Sequence, residues 1–458
     1  MSEQDATLDE FASTEHTPTE RVETSLGVIP ADWAVESLDD ICSINPDGFS
    51  EDDWPEPTFE YIDLSNVSEG EIVQSETTPV DDAPSRAQRQ VKQGDVLVGT
   101  VRPKQVSHGF VTEEHDGKIC SSGFGVLRTP ANLHPLYLLQ EVLSHRFFRQ
   151  MEAYVAGSGY PAVKVGDLRK HRITVPPLEE QRKIASVLYT VDQAIQKTEE
   201  IIEQTRCARA GLEQDIFSTG YYEHEATQEV RLGPIKTSTP EDWDMKTIPD
   251  RFDIIDGDRG KNYPKQSEFY DDGYCLFLSA DNVTEEGLEF HDTEFISKEK
   301  DEELRKGKLS RGDIVMTTRG TVGNFGFYDE EVDYDNMRIN SGMVILRPKS
   351  GVTNPVYYYH LFRSRIFQKQ INATSYGTAQ PQTSVTDLEK MKLIEPEDDE
   401  KGKIGELIED LNTVIYSNEE YKNKLQHLKK GLMQDLLSGE VRTHDKDIEI
   451  VDEVLQHG

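Results

Sequence analysis

The chain has 458 residues, 35% hydrophobic and 29% charged, which suffices for two or more globular domains and excludes a fibrous protein. Acidic residues outnumber basic ones 86 to 49, for a net charge of −37, opposite to the basic balance of an ordinary nucleic-acid binder. Either nucleic acid is not the partner, or the surface is acidified for a salt-rich cytoplasm, where a Debye length of about 3 Å hides distant acids from a phosphate backbone. We read the acidity as such a halophilic signature.

Residues 1–24 are acidic and polar without an apolar core, which predicts a disordered arm rather than a signal peptide. No run of roughly 18 apolar residues predicts a membrane span. Cys42, Cys120, Cys207 and Cys275 are scattered with no C-x-x-C pair, so reduced cytoplasmic thiols are expected rather than zinc or disulfides.

Residues 25–176 read as a first globular domain. Short β-branched runs such as Val96 to Val98, bounded by Gly, Pro, Asn and Asp, give way to a helical pattern from Pro135 to Tyr154. Residues 177–220 read as a long helix, with apolar or small positions at Ile184, Val187, Val191, Ala194, Thr198, Ile201, Thr205, Ala208 and Leu212, widened by Leu188, Ile195 and Ile202. A helix of roughly 35 residues spans about 50 Å.

Residues 221–396 repeat the first domain in character. Trp33 and Trp243 lie 210 residues apart, Gly94-Asp95-Val96 and Gly312-Asp313-Ile314 lie 218 apart, and Asp167 and Asp387 lie 220 apart. Tyr61 to Val67 answers to Phe277 to Val283, and Ser122-Gly123 to Ser341-Gly342. Landmarks in one order with a slowly drifting offset define a tandem duplication whose second copy carries small insertions. Residues 397–440 repeat the helix in phase: Ile404, Leu407, Leu411, Val414, Asn418, Tyr421, Leu425, Leu428 and Leu432. Each apolar seam needs a partner, and the matching phase predicts that the two helices pair, antiparallel. Residues 441–458 form an acidic tail. The predicted fold class is α+β: two globular domains separated by two long helices packed as an antiparallel coiled coil, with pseudo-two-fold symmetry.

The Gly-x-Ile-Pro-x-x-Trp opening at Gly27, Ile29, Pro30 and Trp33, the Lys92-x-Gly94-Asp95-Val96-Leu97 strand entry, and Pro176-Pro177-Leu178-Glu179-Glu180-Gln181 leading into the long helix resemble the specificity subunit of Type I restriction-modification systems. The resemblance runs from about Gly27 to Arg442. The second copy departs from it at Glu395-Pro396-Glu397, which keeps one proline, though its acids still suit a helix N-terminus. Gly431 to Gly439 looks like the family's helix end. The resemblance implies two target-recognition domains, each reading one half of an interrupted double-stranded DNA site. It implies helices that set the spacing and dock methyltransferase subunits, with restriction or motor subunits joining through the assembled complex. Two half-sites can be read together when the readers are spaced near a helical turn, about 34 Å, or a multiple.

Base reading calls for forked or amide side chains on loops. One loop class follows the Gly-Asp strand: Thr100, Arg102, Lys104 and Gln105 in the first copy, Thr318, Arg319, Thr321 and Asn324 in the second. The other precedes the long helix: Ser158, Tyr160 and Lys164, against Tyr376, Thr378, Gln380 and Gln382, a loop that the resemblance places by the DNA. Arg169, Lys170 and Arg172 form the densest basic island in the chain. Gly94 and Gly312 are expected to make turns with Asp95 and Asp313 bonding local backbone, and Trp33 and Trp243 to anchor packing.

Catalytic signatures fail. Gly157-Ser158-Gly159 mimics a methyltransferase cofactor loop, but a lone Gly-x-Gly is weak and the second copy has Ala379. Gly257-Asp258-Arg259-Gly260-Lys261-Asn262 has the wrong spacing for a nucleotide loop, and no histidines sit at metal-binding spacing. The sequence therefore predicts a non-enzymatic, cytoplasmic recognition subunit with no cofactor. The alternative is a non-DNA scaffold of two interaction domains on a coiled coil.

Overall fold

The structure, a computed structural model, describes residues 20–155, 161–233, 235–374 and 382–456. The chain divides into two compact units, the first made of residues 1–199 with 420–458, the second of residues 200–419.

In the first unit, strands His108–Phe110, Val96–Gly99, Phe124–Arg128 and Ser43–Ile44 form one antiparallel sheet in that order. A second sheet runs Glu76–Pro79, Thr58–Ile62, Ile119–Ser121, Ala87–Gln90, with its two central strands parallel. Period-two alternation explains why Val96-Leu97-Val98 is apolar throughout. Val96 and Val98 face the helices in one core, while Leu97 faces Ile62, Cys120 and Phe124 in the other. Helices Pro135–Leu143 and His145–Ala153 cover the first sheet. Pro135 takes the first helical position, and the Ser144 hydroxyl caps the second helix by accepting from Phe147 N at 3.2 Å. Residues Arg21–Thr24, expected in the arm, instead form a hairpin strand with Gly27–Pro30, because Val22 and Ile29 can pair there. The arm's remaining residues, 1–19, lie outside the described residues.

The second unit repeats this plan. Its first sheet runs Phe325–Phe327, Ile314–Thr317, Met343–Pro348, Phe252–Asp256, and its second pairs Cys275–Leu278 in parallel with Met337–Ile339. Ile314 and Met316 face one core and Val315 the other, as in the first copy. Even the short turns match: Asn66 Oδ1 accepts from Asp63 N at 3.0 Å, and Asn282 Oδ1 from Ser279 N at 2.9 Å. The α+β tandem duplication is thus visible strand by strand.

The long helices span Leu178–Thr219 and Asp398–Leu437. Both begin with acids in the first turn, which complement the helix dipole. Within each unit the helices pair antiparallel. Asp192 meets Lys429 at 2.5 Å and Glu199 meets Lys422 at 3.6 Å in the first unit; Arg206 meets Glu419 at 2.6 Å and Arg209 meets Asn412 at 2.8 Å in the second. The seam differs from the predicted heptad. Of the predicted positions Thr198 and Leu425 are buried, with Ile202 of the widened stripe and Ile415 outside the prediction, whereas Ile201, Ala208, Val414, Tyr421 and Leu428 are exposed. Two helices cover one narrow stripe between them, so the rest of a wide apolar face stays open.

Each unit closes on the end of a long helix. Leu436 and Leu437 enter the first core with Trp33, and Ile216 and Phe217 enter the second with Trp243. Trp33 Nε1 donates to Glu180 at 3.1 Å, and Trp243 Nε1 donates to Glu400 at 3.1 Å. In the first unit the guanidinium of Arg442 spans Glu180 and Asp32. In the second, the imidazole of His224 spans Glu400 and Asp242 at 3.0 Å each. The tail continues along the first unit, where the Lys183 ammonium donates to the carbonyls of His444 and Lys446 and Val454 is fully buried.

Candidate nucleic-acid interface

The strand Val96–Gly99 begins at Gly94, whose φ of +86° needs glycine, and Gly312 repeats it at +88°. Asp95 accepts from Lys92 N at 2.8 Å and Asp313 from Ser310 N at 2.8 Å, the local bonds expected of a turn. Both carboxylates also take a forked pair of hydrogen bonds from an arginine, Arg128 in the first copy and Arg347 in the second. The sequence carried that signal, since both arginines stand in matched Leu-Arg pairs. These fixed strands launch the candidate loops.

The two loop classes meet in each unit. Val101 and Ala162 form a bridge, Arg102 N donates to Pro161 O and Val163 N to Thr100 O. Arg319 and Gln382 form the equivalent bridge, with Thr383 N donating to Thr318 O at 3.1 Å. Loops some sixty residues apart in sequence thus form one edge, built the same way twice.

Along that edge the candidates divide by exposure. Thr100 and Thr318 are buried, and each donates its hydroxyl to a glycine carbonyl, Gly123 at 2.7 Å and Gly342 at 2.9 Å. Asn324 gives its amide to Val283 O at 2.9 Å, and the carbonyl of Thr321 accepts from the Thr317 hydroxyl. Arg102, Lys104, Gln105 and Lys164 are exposed in the first unit, as are Arg319, Thr321 and Gln382 in the second. Lys104, Lys164 and Arg319 make no side-chain hydrogen bond or ion pair among the described residues. Arg102 holds φ at +49°, an uncommon left-handed conformation for a side-chain-bearing residue. Ser158, Tyr160, Tyr376, Thr378 and Gln380 lie outside the described residues.

The basic island is partly neutralised. Arg169 pairs with Asp39, and Lys170 pairs with Asp167 at 2.8 Å, which raises the ammonium's pKa and lowers the carboxyl's. Arg172 is exposed, and its guanidinium donates to the Ser25 hydroxyl at 3.3 Å. Behind the edge, burial pushes the His108 imidazole down to about 4, and its Nδ1 accepts from Gly99 N at 3.1 Å. A neutral ring therefore holds the strand end.

Sequence reasoning passed over one further feature of the second unit. The turn Gly257–Asn262, dismissed as a nucleotide loop, forms with Arg305 a cleft of about 300 Å³. The sequence signal was the run of Arg259, Lys261 and Lys265 in an acidic chain; that Arg305 joins them is seen only in the fold.

A duplicated α+β domain on paired helices, presenting the same two-loop edge twice, defines a protein with two recognition surfaces in one chain. The chain belongs to the Type I restriction modification DNA specificity domain family, whose profile matches residues 30–205 and 240–427, once per copy. It is 27% identical over 311 residues to the MjaVIII specificity subunit of Methanocaldococcus jannaschii, covering 67% of this chain and 70% of that one. It is 24% identical over 443 residues to the putative MjaX specificity subunit of the same organism, covering 92% and 96%. Among solved structures, the S subunit of a Type I restriction-modification system from M. genitalium shares the fold with a TM-score of 0.55 at 15% identity, covering 88% of this chain and 96% of that one. A chain from a study of assembly and conformational transition of the type I R-M system matches with a TM-score of 0.56 at 21% identity, covering 90% and 99%. No helix among the described residues is long and apolar enough to cross a membrane.

Proposed function

We propose that the chain is the specificity subunit of a Type I restriction-modification complex, a cytoplasmic and non-catalytic recognition component in which each domain reads one half of an interrupted double-stranded DNA site. The observation that carries this, beside the family match, is the edge built twice on one frame with different exposed side chains. Arg102, Lys104, Gln105 and Lys164 occupy it in the first unit; Arg319, Thr321 and Gln382 occupy it in the second. Arginine forks and amides on such an edge can discriminate bases, while lysines and Arg172 suit phosphates. Thr100, Thr318 and Asn324 hold the loops from behind.

Docking of methyltransferase subunits, and through them of restriction or motor subunits, is supported by the open part of the helix faces. In the first unit Tyr421 and Leu428 are about half exposed, and in the second Ile201 and Val414 are also exposed. Apolar residues in a row on a paired helix suit a further helix.

The test is to express the chain with its methyltransferase subunit and map methylation genome-wide. One bipartite motif is expected, and replacing residues 27–165 by those of a relative should change one half of it. Arg319→Ala should relax the other half alone, with about 1–3 kcal/mol lost at the affected base pair. Methylation unaltered by the exchange would sink the reading, and equal loss of both halves by Arg319→Ala would assign that arginine to general binding.

A further inference from the structure

We infer that the turn Gly257–Asn262 and Arg305 form a phosphate-backbone contact that extends the reading edge of the second unit. The inference rests on the DNA-recognition reading above and adds residues to it.

The turn is rigid. Gly257 packs so closely that a Cβ there would lie 2.0 Å from the carbonyl oxygen of Asn340. The buried carboxylate of Asp258 accepts from Gly260 N at 2.7 Å and Arg305 N at 2.9 Å, which ties the turn to the segment around Arg305. Those backbone bonds hold Asp258 below the usual carboxylate range, so it stays ionised and occupied. Asn262 Nδ2 donates to Glu303 O at 3.1 Å and closes the other side.

Asp256, Asp258 and Glu303 beside the cleft are each engaged, while Lys261 and the outer part of Arg305 stay open to solvent. Asp256 lies 3.5 Å from Arg259, and Glu303 pairs with Lys300 at 2.8 Å. Lys261 is exposed with no hydrogen bond or ion pair among the described residues, and the Arg305 side chain is 79% exposed, with Asp258 4.0 Å from its Nε. Lys306 is exposed next to it. In a chain of net charge −37, a rigid turn presenting lysine and arginine outward suits a polyanion.

Contacts run from this turn to the edge. Gly257 abuts Asn340 and Ser341; Asn340 Oδ1 accepts from Gly342 N at 2.7 Å; Gly342 O accepts both the amide and the hydroxyl of Thr318, next to Arg319. These contacts join the turn to the strand end that carries Arg319; on this proposal the backbone of a strand read there lies on Lys261 and Arg305. Among the described residues the first copy lacks the feature: the corresponding turn carries Asp47, already paired with Lys92 at 3.2 Å and Arg128 at 2.8 Å.

The experiment is fluorescence anisotropy of the full chain with a labelled 30-base-pair duplex of mixed sequence, titrated across potassium chloride, for wild type and Lys261→Gln/Arg305→Gln. Each phosphate contact contributes about 1 to the slope of log affinity against log salt, so the double variant should lose about 2. The methylation motif should stay the same. Lys261→Gln alone, at a residue with no hydrogen bond or ion pair among the described residues, should lose about 1 and melt as wild type does. An unchanged slope in a variant that binds would overturn the inference while leaving the recognition reading intact. A relaxed base at the second half-site would overturn it too, by making these residues base readers. No duplex binding by the wild-type chain at any salt, repeated with the chain assembled with its methyltransferase subunit, would instead refute the recognition reading itself.

Discussion

Replacing Arg442 by alanine tests how the first unit is closed. The carboxylate of Glu180 is 1% exposed and takes two hydrogen bonds from Arg442, at 2.8 and 2.9 Å, beside those from Trp33 Nε1 and Thr443 N. The same guanidinium binds Asp32 at 3.0 and 2.6 Å. Arg442→Ala strands a buried carboxylate, which costs about 3–5 kcal/mol. Asp32 is half exposed, so its share is at most about 1 kcal/mol. For a unit of this size the total corresponds to a fall in Tm on the order of 10 °C. Hydrogen exchange should localise the damage, with protection lost at residues 30–38 and 436–456 and kept at 220–245. Adding Glu180→Gln removes the stranded charge and should recover part of the loss. A destabilisation under about 1 kcal/mol, or a double variant at the sum of the two singles, would refute the claim that the clasp is a coupled buried pair.

Two further outcomes follow from the same comparison of copies. Burial alone would lower the His224 imidazole's pKa, but hydrogen bonds to Glu400 and Asp242 outweigh it and raise the value above 6.5. The stability this lends is full below about pH 6.5 and lost as pH rises through the folded value. Hydrogen exchange at residues 220–245 should therefore quicken relative to residues 30–38 between pH 6 and 9, and His224→Gln should abolish the difference. Thr318→Val should cost about 1 kcal/mol in urea denaturation while leaving the methylation motif unchanged, because its hydroxyl serves Gly342 and its side chain is buried; an altered motif would count Thr318 among the readers.

The duplication was legible because its landmarks are local. A Gly-Asp turn, an apolar run of period two and a tryptophan after Pro-x-x each leave a mark within a few residues. What joins distant segments was not. Arg442 meets Asp32 and Glu180, and Phe217 enters the core of a domain that starts after it, through contacts with no local periodicity. The helix phase was read from the widest apolar face, but two helices bury one stripe of it, so Ile202 lies inside and Ile201 outside. At the candidate edge, composition could name the loops but could not separate neighbours. Thr100 and Gln105 are both polar, and the turn of the chain alone decides that one faces a glycine carbonyl and the other solvent.

That separation has a consequence for how such a protein can change its target. The parts of the edge that fold it are repeated between copies: Gly94 and Gly312, Asp95 with Arg128 and Asp313 with Arg347, Thr100 and Thr318 on their glycine carbonyls. The exposed side chains, by contrast, differ from one copy to the other, and Lys104, Lys164 and Arg319 make no side-chain hydrogen bond or ion pair among the described residues. Substituting a surface residue without partners shifts stability by no more than about 0.5 kcal/mol. The edge can then be rewritten at almost no cost to folding, one unit at a time, while the paired helices and their clasps stay as they are. A chain built as one copy, with reading and folding duties on the same side chains, would have to repack its core for each new site.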